Sequence, residues 1–343
     1  MNPVTKPVMA SAVGLLVAVM GAIPALADTL ETVRERGRLV CGVNTGLAGF
    51  SYTDSKGEWA GFDVDICRAV AAATLGDGDA VEFVPLTGKT RFTALSSGEI
   101  DILSRNTTWT YSRDTELAAD FTGTTYYDGQ GFLIRKAVGI ESAKDLDGAT
   151  VCIQTGTTTE LNLSEFFLSN GMSYEPVPIE SPAEAQQQYL AQSCDVYTAD
   201  TSALAAARSS FADPTAHMIL PEVISKEPLG PLVRHGDDRW ADIVGWTVRA
   251  LVAAEELGLT SENVDEQAAA SKVPEVGRLL GTDGDLGAMN GLSAGWARDA
   301  IAAVGNYGEM FSRNLGTDSP IGLERGLNAL WTNGGLQYAP PFR

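Results

Sequence analysis

From residue 39 to residue 208 short apolar runs alternate with stretches of helical periodicity. Residues 39–43 form a compact apolar run of strand length. Asp63 is then placed to cap a helix that carries Ile66, Ala69, Val70 and Ala73 on one face and stops at Gly76. Residues 81–84 predict a second strand. Phe92 and Leu95 mark a second helix that ends at Gly98, and residues 100–103 predict a third strand. This alternation predicts a parallel sheet with helices on both faces. The pattern restarts after Gly148. It predicts a strand at 150–154, a helix at 158–168, an extended run at 175–178, a helix opened by Pro182, a strand at 196–199 and a helix at 201–208. Two α/β units therefore stand in series.

Residues 126–132 and 228–233 are short extended segments with Gly or Pro, suited to cross between the units. Beyond residue 239 the pattern is mostly helical, at 239–257, 262–270, 295–311 and 321–331, with a Gly- and Asp-rich turn at 281–287. If this segment returns to the first unit, one lobe comprises residues 28–126 and 233–343, and a second lobe, 127–232, is inserted into it.

The first 27 residues read differently. Lys6 precedes an apolar run over 8–26, and Ala25-Leu26-Ala27 forms an A-x-A cleavage site, as in a secretory signal peptide. A membrane anchor is the alternative, and Pro24 with the small residues after it favours cleavage. Cleavage would leave 316 residues with 23 basic and 44 acidic side chains, net −21. Such an acidic surface repels phosphate backbones, so nucleic-acid partners are not expected. No later stretch reaches the length of a membrane span. The expected product is soluble and periplasmic. In that oxidising compartment Cys41, Cys67, Cys152 and Cys194 can pair in three ways. Cys41–Cys67 and Cys152–Cys194 are expected, one bridge per unit, with four buried thiols as the alternative. No CxxC occurs and there are only two histidines, so no metal site is expected.

Several motifs fail on context. Gly291-Leu292-Ser293-Ala294-Gly295 has the G-x-S-x-G form but follows a loop, and no histidine lies beyond His235. Gly88-Lys89-Thr90 resembles the end of a phosphate-binding loop, yet Phe83 stands where the first glycine belongs. Asp283, Asp285 and Asp318 lack the register of a calcium loop.

Three segments at strand ends carry more. Residues 104–113, with Asn106, Thr107, Thr108 and Arg113, follow the third strand, where open α/β sheets bind ligands. Arg113 offers a planar fork for a carboxylate, or else an ordinary surface charge. Residues 154–160, with Thr155, Thr157 and Thr158, open a helix whose free amides suit an anion. Thr157 and Glu160 also fit a capping box. Asp200 follows the strand at 196–199, where it suits either a ligand ammonium or a helix N-cap. An arginine, a helix N-terminus and a carboxylate around one cleft complement a free α-amino acid.

Leu39-Val40-Cys41-Gly42-Val43-Asn44, Gly61-Phe62-Asp63-Val64-Asp65 and Gly98-Glu99-Ile100-Asp101-Ile102, with the segments at 104–113 and 154–159, resemble the periplasmic solute-binding proteins of polar amino-acid ABC transporters. Among these, the chain is most similar to the general L-amino-acid binders of proteobacteria, which share a long C-terminal extension. The resemblance covers the whole chain after the leader. It implies a type II periplasmic binding protein fold, two open α/β lobes on a two-segment hinge. It implies that free L-amino acids bind between the lobes and pass to an inner-membrane permease, with no cofactor and a monomeric chain. On this resemblance Arg113 holds the α-carboxylate with help from Thr108 and Asn106, Thr157 and Thr158 form the second lobe's carboxylate site, and Asp200 holds the α-ammonium. Asn44 replaces an aspartate common in histidine, lysine and glutamine binders, and Leu47 replaces a stacking aromatic for which Phe50 or Trp109 could substitute. Arg91 falls near an arginine of acidic-amino-acid binders, while Thr45 stands where a second is expected. These departures imply broad or acidic- and amide-leaning selection. Prephenate or arogenate (cyclohexadienyl) dehydratases share the fold and are the alternative reading.

Overall fold

The computed structural model describes Pro3 and residues 28–343. The signal-peptide reading of residues 1–27 therefore lies outside the described residues, Pro3 apart. Two five-stranded sheets dominate. The first runs Val81–Leu86, Leu39–Asn44, Ile102–Leu103, Leu232–Arg234, Ala119–Phe121. The second runs Tyr174–Ile179, Ala149–Gln154, Val196–Asp200, Gln130–Arg135, His217–Ile219. In each, the first three strands are parallel and the fourth is antiparallel to both neighbours. The sheets are thus mixed, not wholly parallel. The reason is connectivity: the fourth strand of each sheet lies next to a crossing segment and enters against the βαβ direction.

The crossings themselves pair. Tyr126–Asp128 lies antiparallel to Glu227–Leu229, with Tyr126 opposite Leu229 and Asp128 opposite Glu227. The outer edge of this two-stranded ribbon is covered by the C-terminal segment. Asn328 takes the Tyr127 N–H on Oδ1 at 2.7 Å and returns Nδ2 to the Tyr127 carbonyl at 3.1 Å. The Tyr307 hydroxyl donates to the Thr125 carbonyl at 2.8 Å. A strand edge needs such partners, because an unpaired buried backbone group costs about 1–3 kcal/mol.

Helix Phe62–Leu75 shows how the C-terminal segment changes the first lobe. Its pattern predicts one apolar face, yet twelve of its fourteen residues are buried. Helix Trp296–Val304 packs against one side of it, and the small alanines at 69, 71, 72 and 73 keep Phe62–Leu75 slim for close neighbours. Asp65 accepts from Arg313 Nη2 at 2.8 Å and Asn314 Nδ2 at 2.6 Å. Asp63 is not the N-cap. Gly61 holds that position with φ 127°, and the Asp63 carboxylate lies inside the first turn.

The expected helix at 239–257 is Asp238–Glu256, capped by Asp237 on the Trp240 N–H at 3.0 Å. The expected helix at 295–311 is two, Trp296–Val304 and Tyr307–Asn314. Gly305 breaks it at φ 76°, and an Asn306–Glu309 capping box restarts it. The expected helix at 321–331 is absent. Gly322 and Gly326 adopt φ 64° and 49°, and only single 3₁₀ turns form, because the segment follows the ribbon edge. Helix Pro274–Leu279 was not foreseen.

Cys41 is bonded to Cys67 and Cys152 to Cys194. The first bridge ties a central strand to helix Phe62–Leu75, and the second ties Ala149–Gln154 to the turn before Val196–Asp200. Each stays within one sheet unit and leaves the ribbon free. Among the described residues no helix is long and apolar enough to cross a membrane.

Candidate functional site

The parallel strands of both sheets end at a cleft between the lobes. Asn44, Leu47, Arg91, Arg105, Asn106 and Thr108 line it from the first lobe. Gln154, Thr157, Thr158, Thr159, Tyr197, Thr198 and Asp200 line it from the second. The lobes touch. Lys89 Nζ lies 3.0 Å from Glu180 Oε1, and Arg91 Nη2 donates to the Gly156 carbonyl at 3.2 Å. A Cβ on Gly88 would sit 2.6 Å from the Thr155 carbonyl oxygen, so only glycine permits this approach.

The loop after Ile102–Leu103 is held from below. Asp63 Oδ2 accepts the Asn106 N–H at 2.7 Å and Oδ1 accepts the Ser104 hydroxyl at 3.3 Å. Burial pushes the Asp63 carboxyl up to about 7, against the pull of these two donors and of Arg105. Asn106 takes φ 38°, which asparagine tolerates, and its Oδ1 accepts from Asn44 Nδ2 at 2.9 Å. Beyond it the loop lies along the hinge ribbon. The Trp109 N–H donates to the Pro228 carbonyl at 2.8 Å, and the Thr107 carbonyl accepts from Gly230 at 3.1 Å.

Three guanidiniums crowd this side. Arg91 and Arg105 are each 2% exposed and Arg113 is 8%. The Phe92 ring lies 4.9 Å from Arg91 and 5.4 Å from Arg113, an arrangement that favours cations on an aromatic face. Arg113 Nη1 donates to the Thr108 carbonyl at 2.9 Å. Arg105 Nε donates to the Leu86 carbonyl at 2.9 Å, and Arg91 Nη1 to the Thr107 hydroxyl at 3.2 Å. Burial pulls all three pKa values down, Arg105 to about 10. Repulsion from Arg105 and Arg113 adds to the effect at Arg91, and Asp200 opposes it. Arg91 Nε and Arg105 Nη2 are buried with no hydrogen-bond partner. Two unpaired cationic N–H groups are costly unless an acceptor arrives.

In the second lobe the capping readings give way. Thr157 stands at the N-cap of helix Thr158–Ser169, but its hydroxyl donates to the Gln154 carbonyl at 2.7 Å. Glu160 accepts from the Gly156 N–H at 2.7 Å, one residue before the cap, so no capping box forms. Asp200 precedes helix Thr201–Ser209 without capping it. Asp128 instead holds the first two side chains of that helix, accepting from the Thr201 hydroxyl at 2.7 Å and from the Ser202 hydroxyl, while the Thr201 N–H donates to the Gly129 carbonyl at 2.8 Å. The Asp200 carboxylate is thus left to the cleft. Burial raises its pKa well above the usual range, Asp128 and Glu227 push the same way, and Arg113 and Arg91 pull it back.

Asn44, Leu47, Arg91, Asn106, Thr108, Thr157, Thr158 and Asp200 therefore come together in one cleft. Thr107, Arg113, Thr155 and Phe50 stand outside its lining. Thr107 is fully buried between Arg91 and Arg105. Arg113 lies behind Thr108. Thr155 turns its hydroxyl to the Ile179 carbonyl at 3.2 Å. Phe50 is a core residue, 5.4 Å from Tyr126 and 6.5 Å from Phe62, because a full ring gains about 1.5–3 kcal/mol by complete burial. Trp109 stacks on Phe121 at 5.5 Å and 7°. Arg105, Thr159 and Tyr197 were not foreseen as lining residues. Arg105 sits inside the loop that the sequence marks, and nothing in its local pattern separates it from a surface arginine. Among the described residues no group of His, Cys, Asp or Glu is placed to hold a metal ion.

Residues 39–263 match the family model of bacterial extracellular solute-binding proteins, family 3. The chain is 57% identical to the glutamate/glutamine/aspartate/asparagine-binding protein BztA of Rhodobacter capsulatus, over 98% of this chain and 99% of that one. It is 53% identical to the general L-amino acid-binding periplasmic protein AapJ of Rhizobium johnstonii, over 98% of each. A solved periplasmic binding protein from Brucella ovis, with glutathione bound, superposes with a TM-score of 0.90 at 54% identity, covering 92% of this chain and all of that one. The two mixed sheets, the crossing ribbon and the cleft are the type II periplasmic binding protein fold, and the chain belongs to the bacterial extracellular solute-binding proteins of family 3.

Proposed function

We propose that this chain captures free L-amino acids outside the cytoplasmic membrane and delivers them to the permease of an ABC transporter. One observation carries the reading: Asp200, freed from capping, faces a closed cleft that also holds buried arginines with unpaired N–H groups. An ammonium suits Asp200. An α-carboxylate suits the Thr158 and Thr159 end of the helix, where no side chain caps the amides, with Arg113 behind Thr108. A second acceptor on the ligand side chain suits Arg91 Nε and Arg105 Nη2. Acidic and amide side chains supply one, in keeping with the names of the relatives. The γ-glutamyl end of glutathione carries the same α-ammonium and α-carboxylate, which places it among the candidate ligands.

The lobes are residues 28–126 with 233–343, and 127–232, which turn about the paired crossings as the cleft opens. The chain acts as a monomer, since one copy contains both walls of the cleft. It reaches the periplasm through a leader cleaved after Ala27, in keeping with two disulfides. The relatives that match nearly the whole chain are named as binding proteins, and the dehydratase reading has no such support.

The test is mass spectrometry of ligand released from the denatured protein, followed by calorimetry with L-glutamate, L-glutamine, L-aspartate, L-asparagine, L-arginine, glutathione and prephenate. Tight binding of a free acidic or amide amino acid is expected. Binding of prephenate with turnover, and of no free amino acid, would overturn the reading.

A further inference from the structure

Glu227, the first residue of the crossing strand Glu227–Leu229, is 2% exposed. Its carboxylate accepts four hydrogen bonds, all from neutral side chains. Oε2 takes the hydroxyls of Thr108 at 2.5 Å and Thr158 at 3.0 Å. Oε1 takes the Ser225 hydroxyl at 2.6 Å and Asn162 Nδ2 at 2.7 Å. Thr108 belongs to the first lobe's loop, whereas Thr158 and Asn162 lie on the second lobe's helix Thr158–Ser169. The donor set is therefore complete only while the two lobes are together.

A hydroxyl has a single hydrogen to give, and an ionised carboxylate only accepts. Once Thr108 and Thr158 both donate to Glu227, their oxygens offer the cleft lone pairs alone. The two oxygens lie 3.4 Å apart and both residues line the cleft that holds Asp200. A ligand group placed against them must be a donor.

We propose that Glu227 is a positioning residue that sets ligand specificity. By taking the hydroxyl hydrogens of Thr108 and Thr158 it fixes both as acceptors, so the closed cleft selects an amine-bearing ligand over the same skeleton without the amine. This rests on the amino-acid reading above.

Calorimetry of the wild type and of Glu227→Gln with L-glutamate and with glutarate, its des-amino counterpart, tests it. Glutamine keeps the size of the side chain; the Asn162 Nδ2 donor holds its amide oxygen at the Oε1 position, so the amide nitrogen takes the Oε2 position, donates to Thr108 and Thr158, and frees both hydroxyl hydrogens. The wild type should prefer L-glutamate, and the preference should contract roughly tenfold or more in Glu227→Gln, the scale for one hydrogen bond to a charged group. Thr108→Val should contract it too, and the double variant should lose less than the sum, because both act through one contact. Should Glu227→Gln not fold, Thr108→Val and Thr158→Val report the same polarity on their own. An unchanged preference in the folded variants overturns the proposal while leaving the amino-acid reading intact. So does an equal loss for both ligands together with a lower melting midpoint of the free protein, the mark of a scaffold role. A wild type that binds neither ligand with any preference for the amine overturns both.

Discussion

Asp200→Asn keeps the side chain's size and removes one negative charge from the cleft, and two effects of opposite kind should follow. Truncating one partner of a buried ion pair costs about 3–5 kcal/mol. At about 1.4 kcal/mol per decade, an amino acid should bind roughly a hundred to several thousand times more weakly. Arg91 and Arg113 act on Asp200 electrostatically, and without its charge they would repel an incoming ammonium. The free protein should respond otherwise. Asp200 makes no capping hydrogen bond, and the Thr201 and Ser202 hydroxyls donate to Asp128. Its pKa is raised by burial and by Asp128 and Glu227, so the fold already favours an uncharged side chain there. The melting midpoint of ligand-free Asp200→Asn should stay level or rise. Calorimetry gives the affinity. A thermal scan gives the second effect, because ligand at a hundred times Kd stabilises the wild type by about 2.7 kcal/mol and should add almost nothing to the variant. An affinity within threefold of wild type would remove Asp200 from the ammonium site. A clear fall of the ligand-free midpoint would show that its charge serves the fold.

Non-reducing peptide mapping should recover Cys41 with Cys67 and Cys152 with Cys194. The loops they close, 26 and 42 residues in sequence separation, make each bridge worth about 4 kcal/mol in the chain-entropy account, and a bridge joining the two lobes would contradict the hinge. Asp63 should titrate near 7 by carboxyl carbon NMR. The fold keeps a proton there that the unfolded chain has already released, so stability should fall by about 4 kcal/mol as pH rises from about 4 to 7 and then level off, relative to Asp63→Asn; a flat difference between the two proteins refutes this. Asn328→Ala should lower unfolding free energy by about 1–3 kcal/mol and speed amide exchange at Tyr127, whose N–H and carbonyl both lose their partner, whereas unchanged exchange would show that the ribbon does not need the C-terminal segment.

Short-range pattern carried most of the secondary structure of the two sheet units. Strand Ala149–Gln154 needs only a β-rich apolar run, and helix Pro182–Leu190 needs only Ser181 as its cap and Pro182 in its first turn. Such signals are local, and tertiary context leaves them alone. The C-terminal segment was less legible. Glycine's effect depends on what surrounds it. Gly305 breaks a helical pattern, and Gly322 and Gly326 let the chain follow a strand edge that belongs to residues two hundred positions away.

The cleft divides the same way. Loop 104–108, the Thr157–Thr158 helix start and Asp200 were marked by their place after strands, because the C-terminal ends of parallel strands converge wherever this topology forms. The sequence by itself thus determined two α/β units and the residues at the strand ends, whereas the disulfide pairing, expected from one bridge per unit among three possible pairings, was settled by the structure. What the sequence left open was which of two roles each residue would take. Asp63 looks like a cap and holds a loop; Asp200 looks like a cap and faces the cleft; Phe50 looks like a ligand platform and fills the core. Arg105 lies in the marked loop with nothing to tell it from a surface arginine, and Glu227 gave no local signal at all. A carboxylate, a guanidinium or a ring has the same chemistry in every setting, and its role is fixed by which partners are buried beside it. Those partners come from distant parts of the chain, so only the tertiary structure decided them.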